Sequence, residues 1–297
     1  MSSIPLIFDL VRGSFVDGPG IRTTVFFKGC PLRCVWCHNP ESQIHRTEIA
    51  WYADKCVKCN TCIRSCPENA ISYNSESLHP SLFGEGPGVR LFNREKCTGC
   101  GKCVEACSFN ALKQIGTVYS PEKLIEILLR DKAFYESSGG GITFSGGEPL
   151  VHIPYLEKVC RELKKQSINI AVQTSGFFNY KLFEQLLKPY IDIIYFDLKV
   201  MNRKKHYFYT GQYNDLILEN LYKLQSEKRQ TLIVRTPMVP EITATEENTE
   251  AIKLYLKRLH IDGYEMLAYN PSGINKCLAL GRDIPERHKL NVETIFS

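Results

Sequence analysis

The sequence predicts an α/β protein in which repeated βα units form a parallel sheet and a cysteine-rich segment interrupts the first unit. Outside residues 51–117, short apolar runs rich in β-branched residues alternate with amphipathic stretches of helical period. That alternation is typical of parallel sheets with crossover helices. Within 51–117, eight cysteines recur at short, repeated spacings instead. We therefore expect two kinds of structure in one chain.

Six strands and the helices between them predict a partial (β/α)6 TIM-like barrel. The predicted strands are 22–27, 142–144, 169–173, 191–196, 232–236 and 264–268. The predicted helices include 121–136, 153–166, 180–187, 215–228 and 245–259. Ser120 followed by Pro121 indicates a helix start, because serine caps the first turn and proline fits its first position. The barrel then comprises residues 1–50 and 118–297, and residues 51–117 are inserted between them.

The composition is that of an ordinary globular chain. It has 297 residues, 43% of them hydrophobic, and a formal net charge of +5, which excludes the collagen-like, disordered and coiled-coil classes. Lysine and arginine are scattered, so nucleic-acid binding is not expected. No apolar run reaches the ~18 residues of a membrane span, and residues 1–10 lack the features of a secretory signal. We expect a cytoplasmic protein that binds no membrane.

Two runs of four cysteines follow the pattern C-x2-C-x2-C-x3-C. They are Cys56, Cys59, Cys62 and Cys66, and then Cys97, Cys100, Cys103 and Cys107. In bacterial ferredoxins this pattern binds two [4Fe–4S] clusters, and the fourth cysteine of each run ligates the other cluster. We therefore predict a ferredoxin-like segment in which Cys107 joins the first run and Cys66 joins the second. Residues 75–87 are predicted to form a loop between its halves, and zinc remains the alternative for paired C-x2-C units.

A third group differs because it has only three cysteines. Cys30, Cys34 and Cys37 follow C-x3-C-x2-C with no obvious fourth cysteine. Three thiolates on a four-iron cube leave one iron open, and an open position is what lets a metal centre bind a substrate. Zinc with His38 as its fourth ligand is the alternative. We interpret the group as the ligands of a reactive cluster.

Polar residues recur where the predicted strands end. In strand order they are the three-cysteine loop, the run SGGEP at 145–149, Thr174, the triplet DLK at 197–199, Arg235 within the fifth strand and Asn270. In α/β barrels the reactive groups lie at the C-terminal ends of the strands. We expect these residues to converge on one rim.

At these residues the chain resembles the radical S-adenosylmethionine (SAM) superfamily, and within it the activating enzymes of glycyl radical enzymes. Besides the three-cysteine loop, the resemblance rests on VDGPGIR at 16–22, CHNPE at 37–41, TFSGGEP at 143–149 and DLK at 197–199. The paired ferredoxin motif resembles the subgroup that serves dehydratases, lyases and decarboxylases. The resemblance covers essentially the whole chain.

The resemblance implies an oxidoreductase that uses SAM and three [4Fe–4S] clusters, one that binds SAM and two that are auxiliary. SAM would chelate the open iron through its amino and carboxylate groups. One-electron reduction would release methionine and a 5′-deoxyadenosyl radical, and that radical would take a hydrogen from a glycine Cα of the partner. The cofactor performs this chemistry while the protein orients it.

The resemblance also implies roles for individual side chains. Gly146, Gly147 and Glu148 would bind the amino end of SAM, and Trp36 would pack near its adenine. Further candidates for SAM contact are Asp197 and Lys199 beside its carboxylate, Asn39, Thr174, Arg235 and Asn270. Asp17 would face the incoming glycine loop, with a simple turn aspartate as the alternative. The residues expected to act in catalysis are Cys30, Cys34, Cys37, Lys199 and Asp17.

Two positions depart from the best-known members of the family. Gln173 stands where those have an aspartate, so no monovalent cation is predicted. Asn270 stands where a histidine often contacts SAM, and asparagine can hydrogen-bond but carries no charge. Cys160 and Cys277 lie outside every motif and are expected to be plain buried thiols.

The expected partners are a glycyl radical enzyme as protein substrate and flavodoxin or ferredoxin as electron donor. The sequence does not distinguish choline lyase, glycerol or propanediol dehydratase and arylacetate decarboxylase as substrates. The auxiliary clusters are expected to relay electrons, with a structural or docking role as the alternative. Two other functions stay open, namely radical chemistry on a small molecule or peptide and electron transfer by a ferredoxin-type carrier.

Overall fold

The computed structural model describes residues 4–74, 89–227 and 230–284. Its strands are β1 (Leu6–Ser14), β2 (Arg22–Phe27), β3 (Glu48–Trp51), β4 (Ile71–Asn74), β5 (Val89–Phe92), β6 (Leu112–Ile115), β7 (Thr117–Val118), β8 (Gly141–Gly146), β9 (Asn169–Thr174), β10 (Ile193–Asp197), β11 (Thr231–Met238) and β12 (Tyr264–Ala268). Its α-helices are α1 (Thr61–Arg64), α2 (Lys102–Glu105), α3 (Pro121–Leu129), α4 (Lys132–Ser138), α5 (Ile153–Lys165), α6 (Tyr180–Leu182), α7 (Arg203–Thr210), α8 (Asp215–Glu227), α9 (Glu246–Arg258) and α10 (Gly273–Ala279). The loop predicted at 75–87 lies outside the described residues.

Eight strands form one sheet in the order β12-β11-β10-β9-β8-β2-β1-β7. From β2 to β12 every neighbouring pair is parallel, whereas β1 is antiparallel to both β2 and β7. The six predicted strands are confirmed as this parallel part of a mixed α/β fold. The antiparallel edge was not predicted, because only two residues of β1 are buried and the strand lacks the continuous apolar run of a central strand.

One face of the sheet packs against helices. Alternate strand residues, among them Phe144, Val172, Phe196 and Val234, are fully buried in one core cluster with side chains of α3, α5, α8 and α9. Successive strand residues point to opposite faces, so the residues between these point away from the helices. The helices therefore exclude water from one side of the sheet.

The opposite face of the sheet is largely polar, apart from a small apolar cluster of Ala171, Ile193, Tyr195 and Ile233. Pairs in register across it are Thr24 and Thr143, Phe26 and Ser145, Gln173 and Tyr195, Asp197 and Arg235, and Arg235 and Glu265. Polar side chains along six neighbouring strands are thus brought together by strand register alone. This is the face on which the candidate site lies.

The cysteine-rich segment forms two small antiparallel sheets. β3 pairs with β6, and β4 pairs with β5. The one-turn helices α1 and α2 carry Cys62 and Cys103, which are both buried. The first of these sheets begins at Glu48.

A buried charge cluster joins this segment to the large sheet. Lys28, just after β2, is 1% exposed and donates to the carbonyl of Glu41 at 2.6 Å and to Glu48 Oε2 at 3.0 Å. Burial lowers the pKa of Lys28, and Glu48 opposes that fall. Arg282, which lies near the end of the described residues, donates from Nη2 to both carboxylate oxygens of Glu48 at 2.7 Å. Removing one partner of a buried ion cluster costs ~3–5 kcal/mol, so the junction is a strong constraint.

Two predicted helix features differ in outcome. The capping of α3 is confirmed, since Ser120 Oγ accepts from the amide of Lys123 at 3.2 Å and Pro121 occupies the first turn. The helix predicted at 121–136 is instead two helices that break at Asp131. That carboxylate is drawn from the helix toward β1 and β2, where Arg12 Nε donates to it at 2.7 Å and Thr23 Oγ1 at 2.9 Å.

Asp131→Asn is expected to lower the free energy of unfolding in a pH-dependent way. The hydrogen bond from Arg12 lowers the pKa of Asp131. A carboxyl with a lowered folded-state pKa stabilises the fold above its unfolded value of ~3.9 and loses that contribution as pH falls. We expect a loss of ~1–2 kcal/mol at pH 7 that shrinks below about pH 4, measured by urea unfolding. Glu126→Gln, at an exposed helix pair, is the matched control, and an equal loss at pH 3 and pH 7 would contradict the assignment.

No helix in the described ranges is both long enough and apolar enough to cross a membrane.

Candidate functional site

The loop after β2 is fixed to α7 by backbone hydrogen bonds. The amide of Arg33 donates to the carbonyl of Thr210 at 2.6 Å, and the amide of Val35 donates to that of Tyr209 at 3.0 Å. At Gly29 the backbone φ is +101°, and a Cβ would collide with a neighbouring imidazole. Glycine alone adopts such a conformation without strain. The loop is therefore shaped by its backbone rather than by its cysteine side chains.

Cys30, Cys34 and Cys37 lie in this loop within electrostatic reach of one another. Burial raises the pKa of Cys30 to about 12 and also raises the pKa values of Cys34 and Cys37. The backbone at Asn39 and the side chain of Gln43 hydrogen-bond to Cys37 and oppose the rise. Buried thiols of this kind ionise when a metal supplies the compensating charge.

A buried ammonium faces the cysteine loop. Lys199 follows β10, its side chain is 9% exposed, and its Nζ donates to Asp197 Oδ2 at 2.9 Å. Burial lowers the pKa of Lys199, but Asp197, Cys34 and Cys30 outweigh burial and raise that pKa overall. A positive charge is therefore held beside the cysteines, where the resemblance puts the SAM carboxylate.

Gly146 and Gly147 bring the end of β8 against the cysteine loop. The amide of Gly147 donates to the last carbonyl of β2, and the amide of Glu148 donates to the carbonyl of Gly29, each at 2.9 Å. A Cβ on Gly147 would lie 3.1 Å from Cys30 Cβ and would collide with the Gly29 carbonyl. The two glycines therefore let the end of β8 pack directly against the backbone of β2 and of the cysteine loop, an arrangement that we call the glycine cradle.

Glu148 is fully buried beneath this cradle. Its carboxylate accepts from Thr174 Oγ1 at 2.8 and 2.9 Å, from Ser175 N at 2.7 Å and Oγ at 2.6 Å, and from Leu150 N at 3.1 Å. Burial raises the pKa of Glu148, and these hydrogen bonds lower it. The amides of Leu150 and Ser175 can only donate, so the carboxyl oxygens that face them must accept. The side chains of Glu148 and Thr174 thus fix the backbone around them.

Trp36 and Asn39 flank the third cysteine. Trp36 is 6% exposed and packs with Val200, Val239 and Ile242 in a small apolar cluster. Asn39 Oδ1 accepts from the Nζ of a lysine in α10 at 2.8 Å. Trp36 therefore forms an apolar wall next to the cysteines, and Asn39 fastens the loop to α10.

Arg235 and Asn270 lie further along the same rim. Arg235 Nε donates to Glu265 Oε2 at 2.8 Å, and its guanidinium stacks 3.5 Å above the ring of Tyr195. Asn270 is exposed, and its Oδ1 accepts from the amide of Ser272 at 3.0 Å. Arg235 is thus oriented across the polar face, whereas the Asn270 oxygen caps a local turn and leaves its amide nitrogen for other contacts.

Asp17 is held on the polar face by three donors. Its Oδ2 accepts from Ser14 Oγ at 2.6 Å and Thr24 Oγ1 at 2.7 Å, and its Oδ1 accepts from Gln173 Nε2 at 3.1 Å. Its carbonyl accepts from Thr143 Oγ1 at 2.8 Å. Asp17 is therefore fixed to four strands of the sheet, which goes beyond a local turn.

Sequence reasoning missed several residues that shape this site. Gln173 was noted only for the charge it lacks, yet it bridges Asp17 and Ser145, whose Oγ donates to Gln173 Oε1 at 2.6 Å. Lys276 of α10 pairs with Glu41 at 3.0 Å. Glu41 belongs to the CHNPE run, but that motif alone assigns no function to it. No motif contains Lys276, so its contact with the site could not be predicted from the neighbouring sequence.

Two cavities in the cysteine-rich segment are lined by four cysteines each. The first, with about 330 Å³ of space that is partly open to solvent, is lined by Cys56, Cys59, Cys62 and Cys107. The second, with about 290 Å³, is lined by Cys66, Cys97, Cys100 and Cys103. Each lining combines three cysteines of one run with the fourth of the other, as a crossed pair of clusters requires. We call them the first and second cysteine cavities.

These donor sets fit iron–sulfur cubes by the number and type of their ligands. Each cavity is lined by four thiols, three from one run and one from the other, which is the ligand set of a crossed pair of [4Fe–4S] clusters. In the described part of the chain, no three or more His, Cys, Asp or Glu side chains are grouped closely enough to hold one metal ion.

The two remaining cysteines differ in their surroundings. Cys160 is fully buried in the main core, where burial raises its pKa. Cys277 in α10 is also buried, and burial raises its pKa to about 11 with Cys37 among the nearby charges. Cys277 thus lies nearer the three-cysteine loop than its late position in the sequence suggested.

Family models match most of the chain. Residues 98–252 match the radical SAM superfamily, 55–111 match a 4Fe-4S dicluster domain, and 16–72 match a 4Fe-4S single cluster domain. The last range contains the three-cysteine loop, and the second contains both runs of four. The matches support SAM and iron–sulfur chemistry for this chain.

Curated relatives are similar over nearly the full length. The trans-4-hydroxy-L-proline dehydratase activating enzyme of Clostridioides difficile is 39% identical over 275 residues, covering 92% of this chain and 86% of the relative. The isethionate sulfite-lyase activating enzyme of Oleidesulfovibrio alaskensis is 36% identical, covering 94% and 88%. The (2S)-3-sulfopropanediol dehydratase activating enzyme of Klebsiella oxytoca is 36% identical, covering 93% and 85%. With the radical SAM match, these similarities confirm the resemblance, and this chain belongs to the glycyl radical enzyme activating enzymes of the radical SAM superfamily.

Proposed function

We propose that this chain installs a glycyl radical in one partner enzyme, which is a lyase, a dehydratase or a decarboxylase. The observation that carries the proposal is the convergence of the three-cysteine loop, the Lys199 ammonium and the glycine cradle at one end of the parallel strands. When bound, a [4Fe–4S] cluster supplies the electron that cleaves SAM into methionine and a 5′-deoxyadenosyl radical, which takes a hydrogen atom from a glycine Cα.

In this proposal the chain is a partial (β/α)6 barrel with a ferredoxin-like insert. The barrel assignment is supported by six parallel strands in sequential order with helices on one face. The insert assignment is supported by the two cysteine cavities. The insert would hold two auxiliary clusters beside the one at Cys30, Cys34 and Cys37, which makes three clusters in all.

The proposed work of the protein is to hold SAM in one orientation. The backbone of Gly146 and Gly147 would accept the amino end, with Glu148 and Thr174 fixing that backbone from below. Lys199 would neutralise the carboxylate, and its pairing with Asp197 keeps the ammonium in place. The contacts proposed for adenine and ribose are Trp36, Asn39, Arg235 and Asn270.

We propose that the partner's glycine loop enters along the polar face and meets Asp17. Helices cover the other face of the sheet, so this is the side from which a protein segment can approach. The electron donor is proposed to be a flavodoxin or ferredoxin in the cytoplasm. The auxiliary clusters are proposed to relay its electron toward the cluster at Cys30, Cys34 and Cys37.

The function is tested by anaerobic incubation with SAM, a reductant and candidate glycyl radical enzymes. A glycine-centred doublet in the electron paramagnetic resonance (EPR) spectrum, with one 5′-deoxyadenosine formed per radical, is the expected result. Cleavage of SAM without a protein radical would redirect the proposal to a small-molecule or peptide substrate. If neither methionine nor 5′-deoxyadenosine forms, the function of a ferredoxin-type electron carrier would be favoured instead.

Asp17→Asn is expected to uncouple the two halves of the reaction. All three side-chain partners of Asp17 donate hydrogen bonds. An asparagine nitrogen must therefore face either the Gln173 amide, which is a donor, or the hydroxyls of Ser14 and Thr24, which must reverse and accept, and either change shifts the loop. Misplacement of this order costs ~10–100-fold in rate. We expect unchanged SAM cleavage in the absence of partner and a ~10–100-fold slower glycyl radical signal in its presence. Asp9→Asn, at an exposed aspartate of β1, is the control, and an equal fall in both activities would assign Asp17 to SAM instead.

A further inference from the structure

Trp51 carries a buried hydrogen-bond donor that has no acceptor. It ends β3, opposite Leu112 of β6, and lines the first cysteine cavity. Its indole Nε1 is buried and lacks a hydrogen-bond partner. Indole nitrogen can only donate, and a buried donor left unpaired costs ~1–3 kcal/mol. Native structures rarely leave such a group without an acceptor, and a bound group that supplies the acceptor is one explanation for the exceptions.

The protein wall of the first cavity offers this donor little to bond. Apart from its four cysteines, the lining consists of Trp51, Val57, Phe109, Ala111, Leu112 and the hydroxyl-bearing Thr61. None of these gives Nε1 an acceptor within hydrogen-bond reach. A [4Fe–4S] cube brings sulfide and thiolate sulfurs, which accept hydrogen bonds and whose potential responds to them.

The second cavity provides an internal comparison. Ile49 stands two residues before Trp51 on β3, so both side chains point to the same face of that strand. Ile49 lines the second cavity and Trp51 lines the first. One strand therefore places an indole, which carries an N–H donor, beside one cysteine set and a hydrocarbon side chain beside the other.

We propose that Trp51 Nε1 donates a hydrogen bond to a sulfur of the cluster held by the first cysteine cavity and raises the reduction potential of that cluster. The donor favours the reduced state because reduction adds negative charge to the sulfurs. The cluster in the second cavity receives no such bond from Ile49. The cluster in the first cavity is then reduced more readily by a flavodoxin- or ferredoxin-type donor than the cluster in the second cavity. The inference rests on the proposed function only for the presence of the auxiliary clusters.

The test is an EPR-monitored redox titration of the full-length protein with reconstituted clusters. The variants Cys30→Ala, Cys34→Ala and Cys37→Ala are combined as the background, so that the auxiliary clusters alone contribute. In this background Trp51→Phe removes the N–H and keeps an aromatic ring. We expect one midpoint to become more negative, with a ~10-fold lower reduced-to-oxidised ratio at fixed potential, or about 59 mV for one electron. The other midpoint is expected to stay unchanged.

Tyr52→Phe is the matched control, because it alters the next aromatic side chain, which does not line the cavity. It should move neither midpoint. If Trp51→Phe has full iron content and neither midpoint potential changes, the Trp51 assignment is overturned and the auxiliary clusters stand. An equal shift of the two midpoint potentials would also overturn the Trp51 assignment. Iron content too low for two clusters in the background protein would overturn the proposed auxiliary clusters and the assignment together.

A second readout does not depend on the folding of any Trp51 variant. The chain has two tryptophans, and ¹⁵N-indole labelling with Trp36→Phe leaves Trp51 as the single labelled ring. Pulsed EPR of the reduced background protein should show a ¹⁵N coupling to one cluster, which also identifies that cluster in the titration. A spectrum without this coupling would contradict the hydrogen bond.

Discussion

Replacing Cys34 with alanine is expected to abolish SAM cleavage while the auxiliary clusters remain. Cys34 lies between the other two thiols in a loop whose shape is set by backbone bonds to α7, so the substitution should remove a ligand without unfolding the loop. Two thiolates do not retain a cube that already has an open iron. We expect the iron content to fall by about four atoms per chain and 5′-deoxyadenosine formation to fall by more than ~1,000-fold.

Cys160→Ala is the matched control for that variant. It removes a fully buried thiol from α5 in the main core, far from the predicted ligand sets in sequence, and should leave iron content and SAM cleavage intact. Iron and sulfide analysis with chromatography of the SAM products measures both variants. Persistent SAM cleavage in Cys34→Ala would show that the reactive cluster is held elsewhere.

Glu148→Gln is expected to destabilise the protein and to weaken SAM binding together. The five contacts to the carboxylate all come from donors, so the amide nitrogen of glutamine must face at least one of them. A buried donor left unpaired costs ~1–3 kcal/mol. The glutamine nitrogen and the protein donor that it faces would both be unpaired, so we expect the free energy of unfolding to fall by about 2–4 kcal/mol. The cradle rests on this carboxylate, so the SAM dissociation constant should rise at least ~10-fold.

Urea unfolding and calorimetric SAM titration separate the two effects of Glu148→Gln. The control is Glu157→Gln on α5, where the carboxylate pairs with Arg161 near the surface and the expected change is below about 1 kcal/mol. An unchanged free energy of unfolding would mean that the buried carboxylate is already protonated. Lost stability with unchanged SAM affinity would separate Glu148 from the SAM site.

The parallel core of the fold was predictable because its signals are local. Each central strand is a short apolar run, and Ser120 with Pro121 marks the start of α3 through its own side chain. The break at Asp131 was not predictable, because the groups that draw that carboxylate out of the helix come from β1 and β2. Long-range partners override a helical pattern that continues through the site.

The candidate site shows the same division between local and distant information. The cysteine spacings and the glycine cradle are contiguous motifs, and the sequence alone identified them. The bond between Gln173 and Asp17 joins residues 156 positions apart and depends on strand register. Arg22 was quoted only as part of a motif, yet it is fully buried and binds Thr143 Oγ1 at 2.7 Å and the Ile142 carbonyl at 2.7 Å. The motifs thus identify the positions of the functional residues, whereas their contacts are seen only in the folded structure.

The ion cluster of Lys28, Glu48 and Arg282 means that the ferredoxin-like segment is not a detachable module when the chain is cut at β3, the strand that carries Glu48. Excising the chain from Glu48 onward would leave one ammonium and one guanidinium without their carboxylate partner, which a polypeptide tolerates poorly in its interior. An engineer seeking a minimal version of this enzyme would have to keep Glu48 or neutralise both cations in the same step.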